Sequence, residues 1–182
     1  MSKVILITGG SRSGKSSYGE KMLSGQENVL YIATSAFIDE EMEERIKKHK
    51  ERRNPNWSTY EGYKELRSVI SDTDKDYIML ECVTTMITNM MFDRHTDFDS
   101  IKREDAEKLE IAIISEFEGI VEAARSNQKY IIFITNEVGW SLVSEYKLGR
   151  IFSDIAGRVN QRLAQLSDEV YLTACGIPLK LK

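Results

Sequence analysis

Cysteine, proline and histidine each occur only twice in this chain of 182 residues. Cys82 and Cys175 lie in or beside apolar runs and cannot make a disulfide framework, so they read as small core residues of a reduced, cytoplasmic protein. His49 and His95 are distant in sequence from each other and from the cysteines, so no metal-ligand spacing exists. His95, within Asp93-Arg94-His95-Thr96-Asp97, reads as a loop residue. Pro55 and Pro178 leave no proline-rich linker, and no internal repeat is present. Excess basic charge is also missing: the formal net charge is −4, which speaks against a nucleic-acid-binding surface. No apolar run approaches the roughly 20 residues that span a bilayer, and the N-terminal run is too short for a signal peptide.

What remains is an ordinary globular composition, 41% hydrophobic and 30% charged, expected to form one domain over residues 1–182. Five short β-rich runs, residues 3–8, 28–33, 77–81, 130–135 and 169–174, are almost continuously apolar. That pattern predicts strands covered on both faces of a parallel sheet. Between them, Phe152, Ile155, Ala156, Val159, Leu163 and Leu166 step by three and four along one helical face. Ile111, Ile114, Phe117 and Val121 do the same in a long helix predicted over about residues 103–126. Residues 92–100, polar and aromatic without a period, read as a loop. Strands alternating with helices predict an α/β domain built from βαβ units.

The densest signal is Gly9-Gly10-Ser11-Arg12-Ser13-Gly14-Lys15-Ser16, which fits G-x-x-x-x-G-K-[ST]. It comes after the apolar run Val4-Ile5-Leu6-Ile7 and precedes a segment of helical composition, residues 17–23. Strand, loop and helix in that order make a phosphate-binding loop. The glycines let successive N–H groups converge on phosphate oxygens, and the helix start adds its positive end. Lys15 reaches the outer phosphates, and Ser16 can hold Mg2+. Ligands of open α/β sheets gather at the carboxyl ends of strands, which singles out Thr34-Ser35, Glu81 and Asn136-Glu137 as well. Glu81 stands where many phosphate-loop enzymes place an acid to position Mg2+, the plainer alternative being a carboxylate paired with a nearby base.

Residues 39–53 carry acids in their first turns and bases in their last, matching a helix macrodipole. Met42, Ile46 and His49 share one face of that helix, so spacing leaves His49 open between a core-facing residue and a nucleophile. Lys47, Lys48, Lys50, Arg52 and Arg53 surround it, a cluster that either attracts a polyphosphate or forms a solvated helix end. Nearby cations lower a histidine pKa and favour the neutral, nucleophilic imidazole. Trp57, Tyr60 and Tyr63 could stack on a base or macrocycle, although aromatic packing is the default, and Glu61 could accept paired hydrogen bonds from a guanine edge.

With these segments in this order, the sequence resembles the family of bifunctional adenosylcobinamide kinases / adenosylcobinamide-phosphate guanylyltransferases of cobalamin biosynthesis. The markers run end to end: Thr8 to Ser16, Leu30-Tyr31-Ile32-Ala33-Thr34-Ser35, Glu41-Met42 through Arg45-Ile46 and His49, and Trp57-Ser58-Thr59-Tyr60-Glu61. They continue with Leu80-Glu81-Cys82-Val83-Thr84-Thr85-Met86, Thr88-Asn89, Thr135-Asn136-Glu137-Val138-Gly139, and Asp154 to Gln161. The resemblance implies a RecA-like phosphate-loop domain with a mostly parallel sheet flanked by helices, assembled as a homotrimer. It implies phosphorylation of adenosylcobinamide on its aminopropanol arm by ATP or GTP. It also implies a second step, transfer of GMP from GTP to adenosylcobinamide phosphate through a GMP-histidine, with release of pyrophosphate. The position matching that histidine is His49. The nucleotide contacts fall on Gly9 to Ser16, on Thr34, Ser35 and Ala36, on Lys50, Glu51, Arg52 and Arg53, and on Glu61 and Glu81. Mg2+ falls to Ser16 and Glu81. After Gly139 the family commonly continues Gly, Ile/Leu, Val, Pro, whereas here Trp140 leads into Ser141-Leu142-Val143-Ser144, which bears on the corrinoid side of the site. A simple small-molecule kinase without the histidine chemistry and a nucleotide-binding switch are the rival readings.

Overall fold

Strands that are apolar at nearly every position need cover on both faces, and the chain supplies it. The computed structural model describes residues 2–35, 54–140 and 142–182. Among these, the strands are β1 Lys3–Gly9, β2 Val29–Ala33, β3 Ser58–Glu61, β4 Tyr77–Glu81, β5 Tyr130–Ile134, β6 Glu169–Ala174 and β7 Ile177–Lys180. The helices are α1 Lys15–Met22, α2 Leu66–Asp72, α3 Val83–Arg94, α4 Arg103–Ser126 and α5 Lys147–Leu166. The described strands form one sheet in the order β3-β2-β4-β5-β1-β6-β7, parallel throughout except for the antiparallel β6–β7 hairpin.

The two sheet faces carry separate cores. Ile5, Ile7, Tyr31, Met79, Ile132 and Ile134 pack on the face that includes Leu23, just beyond α1. Val4, Leu6, Ile32, Ile78, Leu80, Ile131 and Phe133 pack on the opposite face with α2 to α5. Residues alternate between these faces along each strand, as the pleat requires. Ile155, Ala156, Val159 and Leu163 of α5 are buried, as their spacing predicts.

Several sequence expectations need correction. The buried stripe of α4 is Leu109, Ile113, Phe117, Ile120, Val121 and Ala124. Ile111 lies outside it and is 66% exposed, because the stripe stepping by fours from Leu109 turns position 111 away from the sheet. Residues 92–94 belong to α3 and are not loop, the helix running on until its cap at His95. Strands β3 and β7 were not expected: β3 is polar and mostly exposed, and β7 is a short, mostly exposed run interrupted by Pro178, so neither shows the continuous apolar signature of the inner strands. Neither cysteine is core: Cys82 is half-buried at the end of β4 and Cys175 is exposed in the β6–β7 turn, and both are free. Trp57 takes the packing alternative, being buried with Nε1 donating to the Gln26 carbonyl at 2.9 Å. The predicted helix at 39–53 lies outside the described residues.

Candidate active site

Because β1 to β6 run parallel, their carboxyl ends share one edge, and the phosphate loop opens there between β1 and α1. Two glycines make the loop's close approaches. Gly9 has φ +152°, and a Cβ on it would stand 2.3 Å from the Thr173 carbonyl oxygen of β6. Gly14 has φ +97°, and a Cβ there would lie 3.1 Å from Gly176 Cα in the β6–β7 turn. The Gly176 N–H donates to the Ser13 carbonyl at 2.9 Å, fastening the loop to that turn. Arg12 sits at φ +57°, a left-handed conformation of the sort found in ligand-binding loops.

Lys15 is 7% exposed and its Nζ donates to the Gly10 carbonyl at 2.6 Å, so the ammonium is folded back over the loop. Burial holds its pKa below the ordinary lysine value, while Cys82, Glu81 and Glu137 pull it back up. Ser16 Oγ donates to Glu81 Oε1 at 2.5 Å. The sequence-predicted pair of hydroxyl and strand-end carboxylate is therefore assembled across 65 residues of chain. Both are hard oxygen donors of the kind Mg2+ takes, and they lie beside the lysine expected to meet the outer phosphates, so this pair fits that ion.

The neighbouring strand ends are tied to the same place. Thr34 Oγ1 accepts from the Cys82 N–H at 2.9 Å, and Asn89 Nδ2 donates to the Thr34 carbonyl at 2.7 Å. Register places Ala33 of β2 opposite both Glu81 of β4 and Glu61 of β3, so the two acids flank β2 at one level. With strands about 4.8 Å apart, Glu61 lies four spacings, about 19 Å, across the sheet from β1. Thr34 and Ser35 are thus at this edge, while Ala36, His49, Lys50, Glu51, Arg52 and Arg53 lie outside the described residues.

Sequence reasoning flagged Asn136-Glu137 as a strand end but missed the network that holds it. Strand β5 lies between β1 and β4, so the residues leaving its carboxyl end face the gap between the phosphate loop and Glu81. Glu137 accepts from Thr8 Oγ1 at 2.6 Å through Oε1, and its N–H donates to the Gly9 carbonyl at 3.1 Å. Asn160 of α5 braces the segment, donating to the Asn136 carbonyl at 3.0 Å and accepting from Thr135 Oγ1 at 2.7 Å. Asn136 Nδ2 donates to Thr84 Oγ1 at 2.8 Å, and Cys82 Sγ lies 2.9 Å from that hydroxyl. Asn160, polar in the middle of the apolar stripe of α5, was the visible signal of this network.

This geometry, a phosphate loop with its lysine and serine converging on strand-end carboxylates, has counterparts among known proteins. A profile of the family described as CobU, cobinamide kinase / cobinamide phosphate guanyltransferase, matches residues 5–181. The chain belongs to the CobU family. It is 42% identical over 181 residues to the bifunctional adenosylcobalamin biosynthesis protein CobU of Escherichia coli (strain K12), covering 98% of this chain and 99% of that protein. The protein of the same name from Salmonella typhimurium is 43% identical over the same shares. The bifunctional adenosylcobalamin biosynthesis protein CobP of Pseudomonas aeruginosa is 32% identical over 180 residues, 97% of this chain and 96% of its own. In fold alone, the chain is like an ATPase of the type III secretion system of pathogenic bacteria, with a TM-score of 0.57 at 9% identity. That likeness covers 93% of this chain, which spans 50% of the ATPase chain. The RecA-like phosphate-loop architecture expected from the sequence therefore holds for this member of the CobU family.

Proposed function

We propose that this chain carries out both reactions for which its family is described, with adenosylcobinamide and then adenosylcobinamide phosphate as acceptors, in one domain. The observation that carries this reading is the convergence of Lys15, Ser16 and Glu81 on the phosphate loop in a chain of this family. In the first reaction the acceptor hydroxyl on the aminopropanol arm attacks the γ-phosphorus of ATP or GTP. An O–P bond forms, the bond to the nucleoside diphosphate breaks with its electron pair leaving on that oxygen, and the hydroxyl proton passes to solvent. Gly9 to Ser16 bind the triphosphate through backbone N–H groups, and Lys15 balances its outer charge. Ser16 and Glu81 would hold Mg2+, which when bound adds charge neutralisation between the outer phosphates.

In the second reaction an imidazole nitrogen of His49 attacks the α-phosphorus of GTP. A P–N bond forms as the P–O bond to pyrophosphate breaks; the phosphate of the acceptor then displaces the imidazole, giving adenosylcobinamide-GDP. Lys50, Glu51, Arg52, Arg53, Thr34, Ser35, Ala36 and Glu61 serve the guanine nucleotide in this step. The chain leaves β2 after Ala33, on the edge that carries Lys15, and β3 ends on the same edge at Glu61, which supports a guanine seat on that side. One pose cannot put two different phosphorus atoms in line, so the two reactions use different poses of the nucleotide and acceptor. Assembly is supported by the edge strand β7, where Ile177 and Leu179 are exposed; the family resemblance supplies the number three. No described helix is long and apolar enough to cross a membrane, which accords with a cytoplasmic enzyme.

Incubation with α-labelled GTP and Mg2+ tests this reading. The wild type is expected to take up an acid-labile, alkali-stable label, and His49→Asn to take up none while still phosphorylating adenosylcobinamide. Kinase activity without any label on the wild type would leave a simple kinase. Tight nucleotide binding with no corrinoid product would leave a switch.

A further inference from the structure

The acceptor imposes a condition that the nucleotide does not. Its reacting hydroxyl sits on a short arm, so while that hydroxyl meets the γ-phosphorus the macrocycle must rest on the protein surface within the arm's reach. The macrocycle presents methyl groups and ring carbons between its polar amide arms, so apolar side chains at the carboxyl edge of the sheet suit it as a rest.

Among the described residues, one place near that edge offers them. Trp140, Leu142, Val143 and Tyr146 are 71%, 96%, 85% and 69% exposed, although each is a large apolar or aromatic side chain. So many such groups within seven positions are a mark of a binding surface, the other exposed large apolar side chains among the described residues lying at Phe92, at Ile111 and along Ile177 to Leu181. They are also tethered to the phosphate loop. Glu137 is bonded to Gly9 through its N–H and to Thr8 through its carboxylate, and Trp140 comes three residues later, at most about 11 Å along an extended chain. The flanks are held: Val138 packs against the larger core, and Arg150 Nη1 donates to the carbonyls of Ser144 and Glu145 at 2.9 and 2.7 Å. Lys147, in the first turn of α5, donates to the carbonyls of Asp99 and Ile101. Exposure is thus confined to side chains between two fixed points, and collapse of the flanks does not explain it.

Taking the corrinoid acceptor proposed above as the substrate, we infer that Trp140, Leu142, Val143 and Tyr146 form the seat of the corrin ring. Glu137 sets their distance from the phosphate loop. The ring lies against the apolar group while its arm reaches past Glu137 toward Lys15. The departure at Trp140-Ser141-Leu142-Val143-Ser144 from the family's usual sequence then changes the ring contact and leaves the nucleotide contacts alone. The other exposed apolar group at a sheet edge, Ile177 and Leu179 on β7, lies on a strand whose open hydrogen-bonding side suits a second protein chain better.

The test uses the full-length protein with and without the paired substitution Trp140→Ser and Leu142→Ser. Steady-state kinetics are expected to show the KM for adenosylcobinamide raised on the order of tenfold and the KM for GTP unchanged. Light scattering is expected to give the same molar mass for both proteins. Cobinamide also absorbs in the near ultraviolet where tryptophan emits, and should quench the emission of Trp140 saturably in a Trp57→Phe variant, a readout that needs no turnover. An unchanged corrinoid KM, or unsaturable quenching alongside normal turnover, would overturn the seat and leave the two-reaction reading standing. A drop in molar mass would overturn it too, by showing the group to be a contact between copies of the chain. A wild type that neither binds nor modifies cobinamide would bring down both.

Discussion

At the amino-terminal end of the strands, polar groups are paired with one another. Glu169 accepts from Tyr171 at 2.9 Å and meets Lys3 and Lys180 at 3.0 and 2.9 Å, Asp168 accepts from the Val4 N–H at 2.8 Å, and Asn28 donates to Asp76 at 2.8 Å. At the carboxyl end of the same strands, Lys15 donates to a carbonyl of its own loop, Ser16 and Thr8 donate to the carboxylates of Glu81 and Glu137, and close-packed glycines shape the backbone. Mutual pairing closes one edge and serves stability. The other edge gathers the glycine loop, Lys15 and two acids in one place, the loop and lysine suited to a polyanionic ligand and the acids to its metal ion. Substitutions at each edge set the two against each other.

The largest effect is expected from Lys15→Ala. Loss of the charge that faces the transferred phosphoryl group should lower kcat for adenosylcobinamide phosphorylation by about 10²-fold or more, with the far-ultraviolet dichroism unchanged. Next comes Gly9→Ala. A methyl placed 2.3 Å from the Thr173 carbonyl forces β1 and β6 apart, and the midpoint of urea unfolding should fall by the equivalent of about 2–3 kcal/mol, together with activity. Asn160→Ala should act more gently, loosening Thr135 and the Asn136 carbonyl without touching the phosphate loop. A cost of about 1–2 kcal/mol in stability is expected, with a larger change in the corrinoid KM than in the GTP KM.

The smallest effect belongs to the closed edge. Lys180 first, then Lys3 and Tyr171, hold the Glu169 carboxyl at about 2, below its ordinary 4.5. A carboxylate depressed in the folded state stabilises above the unfolded pKa, and that contribution is lost as pH falls through the folded one. The wild-type Tm should therefore decline between about pH 4.5 and 2 partly through this group. Glu169→Gln should flatten that part of the profile, lower Tm near neutrality by about 2–4 °C and leave kcat alone.

The same contrast explains which features were legible in the sequence. The phosphate loop is local, with glycines, lysine and serine at fixed spacing, and the inner strands announce themselves by being apolar on both faces. The edge strands β3 and β7 exist because a neighbour's hydrogen bonds complete them, and Thr59 or Lys180 alone carries no mark of that. Ile111 misled because an apolar residue at a plausible step can still lie off a stripe that only packing defines. The Thr8–Glu137 bond spans 129 residues, beyond any spacing rule, and Asn160 on its apolar helix face was the one local hint that something polar needed support there.

Amide hydrogen exchange, measured with and without GTP and Mg2+, addresses the contrast between the edges most directly. New protection is expected at residues 9–16, 34–35, 81–84 and 136–138, while 28–29, 76–77, 129–130 and 168–170 remain unchanged. Protection gathered at the second set, with the phosphate loop unaffected, would contradict the placement of the nucleotide and everything built on it.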